Sequence, residues 1–261
     1  MGMTRKTLRE LYDYRNMIYM LVRKDLRGRY KGSALGFLWT FLNPLLQLAV
    51  YTLVFSTVMR AGIPNYYLFL FVALIPWLAM ANSVNGGATC ILSQQNLVTK
   101  IHFPRQVLPI AAVTTSFVNM LLCMIVVLVV CAFGVGLNLA ILWYLIPTML
   151  IEYILALGLA FLVSCLTVYF RDLEHIIGIF VMAWQFLSPV MYGIDMVPEK
   201  VYHIFMLNPM TAVILSYRDI LFYKTAPHLN TMLLALGMGI FFLVVGWFVF
   251  ARLERHFAEE L

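Results

Sequence analysis

Charge is scarce in this chain. Asp, Glu, Lys and Arg make up 11% of its 261 residues, against about 25% in a soluble domain. Charge-free runs cover 32–59, 61–99, 106–151, 153–170 and 176–194, and only His228 interrupts 225–251. Nucleotide-binding and hydrolytic signatures are missing too. No G-x-x-x-x-G-K-[ST] phosphate loop occurs, and Gly28-Arg29-Tyr30-Lys31-Gly32-Ser33 has neither its spacing nor its lysine position. H-E-x-x-H and G-x-S-x-G are absent, so no catalytic residue, cofactor site or metal site is assigned. The four cysteines (Cys90, Cys123, Cys131, Cys165) lie in or beside apolar segments without metal-ligand spacing and read as buried thiols. The first 31 residues are charged throughout and lack the short apolar core and small-residue site of a cleavable signal peptide.

What is present is apolar. Hydrophobic residues reach 63%, against about 45–50% in soluble domains, and each uncharged run holds a segment near the roughly 20 residues that cross about 30 Å of hydrocarbon. The fold class is an all-α polytopic membrane protein. Six spans are expected at about 34–59, 66–84, 107–133, 141–168, 175–193 and 230–251, with 106–151 divided at Gly134-Val135-Gly136-Leu137-Asn138. Residues 1–261 form a single permease-type domain. Residues 1–33 are its amphipathic interfacial helix, 34–251 the six-span bundle and 252–261 a tail.

The cations set the orientation. With the N-terminus inside, fourteen of the eighteen Lys and Arg fall in inside segments, nine of them in residues 1–33. The positive-inside rule therefore puts both termini in the cytoplasm. A net charge of +6 reflects that bias and does not point to nucleic acid. Arg23, Lys24, Arg27, Arg29 and Lys31 crowd into nine residues, after which no charge appears until Arg60. Tyr19, Val22, Leu26 and Tyr30 recur at helical spacing beside Arg23, Arg27 and Lys31, the pattern of a helix lying in the headgroup plane with its cations on anionic lipid.

Two connections are longer than turns. Residues 85–106 are polar and expected in the cytoplasm, with Ile91, Leu92, Leu97 and Val98 on one face of a short helix that Pro104 ends. Residues 194–229, expected outside, are apolar in the middle but broken by Pro198 and Pro209 into pieces too short to span, the pattern of re-entrant helices. Glu152 is the only acid inside a span; a structural pair and a path-lining role are equally open to it. Trp39, Phe41, Tyr51, Phe55, Trp184, Phe186 and Tyr192 lie in the first and fifth spans as candidate pathway aromatics, although packing is the commoner role for any one of them.

Four segments carry a resemblance. They are Asp25-Leu26-Arg27-Gly28-Arg29-Tyr30-Lys31-Gly32-Ser33-Ala34-Leu35-Gly36-Phe37-Leu38-Trp39 with Asn43-Pro44, then Tyr169-Phe170-Arg171-Asp172-Leu173-Glu174-His175, Ser188-Pro189-Val190-Met191-Tyr192 and Leu207-Asn208-Pro209. In that order and on this topology, the whole chain resembles permease subunits of ATP-binding-cassette exporters of O-antigen, capsule and teichoic acid polysaccharides. The resemblance implies a homodimer in the bacterial cytoplasmic membrane with two copies of a soluble ATPase. That partner carries ATP and Mg²⁺, and a lipid-linked glycan is the substrate. It also implies an ATPase-coupling helix within 85–100, assigned to Ile91, Leu92, Gln94, Leu97 and Lys100, with Arg171 and Asp172 on the same rim. The alternatives are a related permease for a drug or small lipid and, from another class, a self-sufficient secondary transporter. The second would carry inverted repeats and coupled intramembrane charges, and neither is visible.

Overall fold

A computed structural model describes residues 9–28, 32–58 and 62–260. The sequence candidates Arg29 and Lys31 lie outside them. Among the described residues every regular element is helical: α1 (Arg15–Gly28), α2 (Trp39–Thr52), α3 (Tyr66–Thr89), α4 (Gln95–Lys100), α5 (Val107–Gly134), α6 (Leu145–Tyr169), α7 (Leu173–Phe186), α8 (Glu199–Met206), α9 (Pro209–Arg218) and α10 (Leu229–Leu253). Among the described residues, five stretches are long and apolar enough to cross a bilayer: Gly36–Ser56, Tyr66–Thr89, Val107–Gly134, Leu142–Tyr169 and Leu229–His256.

The fifth expected span, 175–193, is helical only in its first part. The 14-residue α7 reaches about 21 Å at 1.5 Å per residue, short of the hydrocarbon thickness. Residues 187–193, with Pro189 among them, carry the chain onward without a helix, to the level where α3 begins. There the Tyr66 hydroxyl donates to the Met191 carbonyl at 2.7 Å. The apolar pair that follows, α8 and α9, is bent by 94°. Arg218, the last residue of α9, donates to the carbonyl of Tyr192, just before the pair begins, at 3.0 Å. The second limb runs on to Tyr223, and Arg218 within it folds the pair back on the residues that precede it, as a re-entrant hairpin does; α7 alone is too short to count among the crossings.

α3 is the axis of the bundle. Its mean composition is apolar on all sides, so it needs burial all round, and Leu68 through Ile75, with Trp77 and Met80, are almost entirely covered. The helix runs five residues past the expected end at 84. Asn85 and Gly86 read as a loop, but a Cβ on Gly87 would lie 2.9 Å from Ala160, so close packing on α6 holds the last turn in place. α6 and α10 approach more closely still. A Cβ on Gly158 would run into the backbone of Phe242 and Leu243, and one on Gly246 into the Gly158 carbonyl. Buried hydroxyls of Ser83, Thr115 and Ser216 donate to carbonyls four residues back, which satisfies them inside the helix.

A second, smaller core forms at one end of the bundle. Ile91, Val98 and Phe103 pack there with Phe161, Cys165 and Val168 of α6 and with Phe250 and Phe257. Tyr14, Met17, Ile18 and Leu21 close it from the N-terminal side. Tyr14, Met17, Ile18 and Leu21 form the side that faces protein, whereas Tyr19, on the face expected to meet lipid, is 64% exposed. Val22 is buried, and Tyr19 and Leu26 line a second strip, beside Arg15, Arg23 and Arg27.

Candidate transport site

Three regions hold the residues singled out by the sequence. The first is the basic end. The connection after α3 begins with a turn at Leu92–Gln94 and continues as α4. That helix stops at Lys100, where Ile101 turns extended (φ −124°, ψ 134°), four residues before Pro104. Of the coupling candidates, Ile91 is fully buried, Leu92, Gln94 and Leu97 are half-buried, and Lys100 is exposed. Ile91 therefore anchors the connection from below and offers no surface. Ser93, Asn96 and Thr99 are exposed beside Lys100, short polar residues that carry no periodic signal in the sequence. Arg171 and Asp172 are exposed at the turn between α6 and α7. Among the interfacial cations, Arg23, Lys24 and Arg27 are exposed on α1. Near Lys100, Arg105 donates to the Glu254 carbonyl and Gln106 Nε2 to Glu254 Oε1 at 3.0 Å, tying the start of α5 to the end of α10.

The second region is the bend of the re-entrant pair, at the junction of two sequence signatures. Asn208 caps α9 by accepting from the Met210 amide at 3.0 Å, with Pro209 at the first helical position. The same oxygen accepts from Trp184 Nε1 at 3.0 Å, and Nδ2 donates to the Leu187 carbonyl at 3.1 Å and to Ser188 Oγ at 2.9 Å. One asparagine thus joins Ser188–Tyr192 to Leu207–Pro209. At the far end of α9, Arg218 is 1% exposed, although its position in a connection expected outside suggested solvent. Its guanidinium donates to the Tyr192 and Val190 carbonyls at 3.0 and 2.7 Å and lies 3.6 Å from the Phe69 ring centroid. Glu152 is fully buried and accepts from the Tyr217 hydroxyl at 2.7 Å, the geometry of a structural pair. Neither Tyr217 nor Arg218 was singled out by sequence. Their only signal is a charged residue closing an apolar helix opened by Asn-Pro.

The candidate aromatics do not gather into one belt. Trp184, Phe186 and Tyr192 surround the bend, with Trp184 edge-on to Trp77 at 5.4 Å and the Tyr192 hydroxyl donating to the Phe186 carbonyl at 2.9 Å. Phe41, Tyr51 and Phe55 are half-buried against the main core, Phe55 stacked on Tyr66 at 6.2 Å. Trp39 stands apart, its Nε1 donating to Ser33 Oγ at 2.9 Å.

The third region is a cavity of about 390 Å³ between α2, α3 and α5, lined by Trp39, Thr40, Asn43, Gln47, Asn82, Ser116 and Asn119 among others. Within hydrocarbon depth such polar side chains face protein or a water-filled path, not lipid. The arrangement as a whole offers neutral hydrogen-bonding groups and aromatic faces for passage or docking.

Comparison with known proteins bears on this geometry. Residues 16–222 match the ABC-2 type transporter family. The chain is 36% identical over 261 residues to an O-antigen export system permease protein RfbA of Myxococcus xanthus, covering 98% of this chain and 99% of that one. It is 36% identical over 248 residues to an RfbA of Klebsiella pneumoniae, covering 94% and 95%. The polysialic acid transport protein KpsM of Escherichia coli is 22% identical over 206 residues, 76% of this chain and 78% of that one.

Proposed function

The chain belongs to the ABC-2 type transporter family, and on that premise we propose that it is the permease subunit of an ATP-driven exporter of lipid-linked polysaccharide, of O-antigen, capsule or teichoic-acid type. The observation that carries this reading is 36% identity along 98% of the chain to a protein named as an O-antigen export permease. The subunit works as a homodimer in the bacterial cytoplasmic membrane, with both termini inside. Two copies of a soluble ATPase bind its basic face and carry the ATP and Mg²⁺. The lysine and arginine bias supports that orientation.

The connection between α3 and α5 suits a coupling role for a mechanical reason. Its outer side offers Ser93, Asn96 and Lys100, while Ile91, Val98 and Phe103 are locked into the small core with α6 and α10. Close-packed interiors transmit displacement instead of absorbing it. A push on the exposed side, as the ATPases close on ATP, is therefore passed to two crossing helices. Arg171 and Asp172 complete the rim, and 194–229 forms the outer mouth.

The test is copurification. The tagged chain, expressed with its neighbouring genes, brings down a soluble ATPase that contains a phosphate loop. Asn96→Arg with Lys100→Glu releases that ATPase without changing membrane insertion or thermal stability. Recovery of no ATPase with the native chain would overturn the proposal; an unchanged complex in the variant would overturn the coupling surface alone.

A further inference from the structure

The cavity between α2, α3 and α5 is unusual for its depth. Asn119 sits close to the midpoint of the 28-residue α5, and Thr40, Asn43 and Gln47 share one face of α2 by their i, i+3, i+7 spacing. Several of these groups have no protein partner. Thr40 is 5% exposed with its Oγ1 unpaired, and both side-chain atoms of Asn119 are buried and unpaired. An amide or hydroxyl left so in hydrocarbon costs several kcal/mol. A second cavity, of about 140 Å³, shares Asn82 and Ser116 with the first and continues past Thr89 to Ser93 and Gln94. The two share a wall at Asn82 and Ser116, and the second, which Asp25 also lines, reaches the connection proposed for coupling.

The donor set narrows what the upper cavity takes. Lys, Arg, His, Asp and Glu are all absent from its lining, so it offers no cation to a phosphate and no carboxylate or imidazole to a metal ion. An acyl chain would leave its carboxamides unpaired. A neutral chain rich in hydroxyls satisfies them, because each carboxamide offers two donors and an acceptor and so matches vicinal hydroxyls. Trp39 at the rim supplies a flat face for a sugar ring. We propose that this groove is a docking site for the neutral sugar residues of the exported chain, with Thr40, Asn43, Gln47 and Asn119 as its hydrogen-bonding contacts. This rests on the exporter reading above and adds to it that the first contacts of the glycan inside the membrane are amides and hydroxyls, not an aromatic belt.

Two measurements test it on the intact chain with its ATPase in nanodiscs and in cells. In the first, Asn43, Gln47 and Asn119 are replaced singly by Cys and treated with a charged methanethiosulfonate, with or without maltoheptaose. Cys123, which lines the groove, is first replaced by Ala, and the other native cysteines are buried. Leu45→Cys, exposed on the opposite side of α2, is the lipid-facing control. Groove positions should label, Leu45→Cys should not, and maltoheptaose should slow labelling only in the groove. Absence of labelling means a lipid-filled groove, and labelling without protection means a groove that holds water only; either overturns the proposal.

In the second, Asn43→Leu, Gln47→Leu and Asn119→Leu are scored for surface glycan against unchanged ATPase association. Loss of one or two hydrogen bonds predicts a drop of about three- to tenfold each. Asn119→Ser, smaller and still polar, recovers part of the export if the asparagine binds, and none if it only supports the fold. Where the native complex exports glycan and the Leu variants match it, the groove is wrong. Where the native complex exports none, the exporter reading is wrong, and protection by maltoheptaose still decides the groove.

Discussion

The Tyr217 hydroxyl and Glu152 Oε2 meet at 2.7 Å in a place from which solvent is wholly excluded. The contact ties the re-entrant helix α9 to α6. The other carboxyl oxygen, Oε1, has no hydrogen-bonding partner among the described residues, so this bond alone holds the buried acid's side chain there. Its removal should be felt disproportionately. Tyr217→Phe is expected to cost about 1–3 kcal/mol by leaving the acid unpaired. The double variant Glu152→Leu/Tyr217→Phe should be more stable than Tyr217→Phe alone, since an apolar pair strands nothing. Thermal unfolding in detergent of the four members of the cycle measures both, and additive losses would argue against coupling.

Arg218 makes a separate prediction, because its planar fork reaches two carbonyls while its face covers Phe69. A lysine keeps the charge but offers a single flexible ammonium. Arg218→Lys should loosen residues 187–198 from α9 by about 1–3 kcal/mol. Hydrogen exchange would then speed up across 187–223 and stay unchanged in α3. Equal exchange in both proteins would show that the guanidinium does not hold the hairpin closed.

Much of this architecture is legible in the sequence, and the failures have physical causes. Long uncharged runs mark spans because the bilayer demands length and apolarity, and both survive into the fold at α5, α6 and α10. Helix ends are less visible. The polar residues from Asn85 onward read as loop, yet α3 continues to Thr89 because Gly87 can press on Ala160. Span 175–193 looks continuous because its composition is uniform, but Phe186 ends the helix and Asn208 takes up Ser188 and the Leu187 carbonyl from twenty residues away. Arg218 was counted as an outside cation, and only the folded hairpin buries it. The polar groove was invisible for the same reason. Thr40, Asn82 and Asn119 each look like an isolated polar residue in an apolar run, and three separate helices must pack before they face one cavity.

The closest approach of two crossings gives the last prediction. Gly158 on α6 and Gly246 on α10 let the backbones pass where any side chain would collide, with the Phe242 and Leu243 main chain on one side and the Gly158 carbonyl on the other. The obstacle is backbone, so no rotamer change relieves it. Helices in lipid gain no hydrophobic drive toward each other, and this intimacy is itself a large part of what holds them together. Gly158→Ala should cost about 1–3 kcal/mol through overpacking, and Gly158→Val more. Gly237, on the same helix α10, has nothing within 4 Å of an added Cβ, so Gly237→Ala should leave stability unchanged. The lower ends of α6 and α10 also carry the core that seats Ile91 and Phe103. Gly158→Ala should therefore reduce recovery of the ATPase complex even though it lies away from the proposed docking surface, while Gly237→Ala should not. Thermal unfolding and copurification, run side by side on the two alanine variants, separate the outcomes; matching melting temperatures would mean that α6 and α10 are not held by this contact.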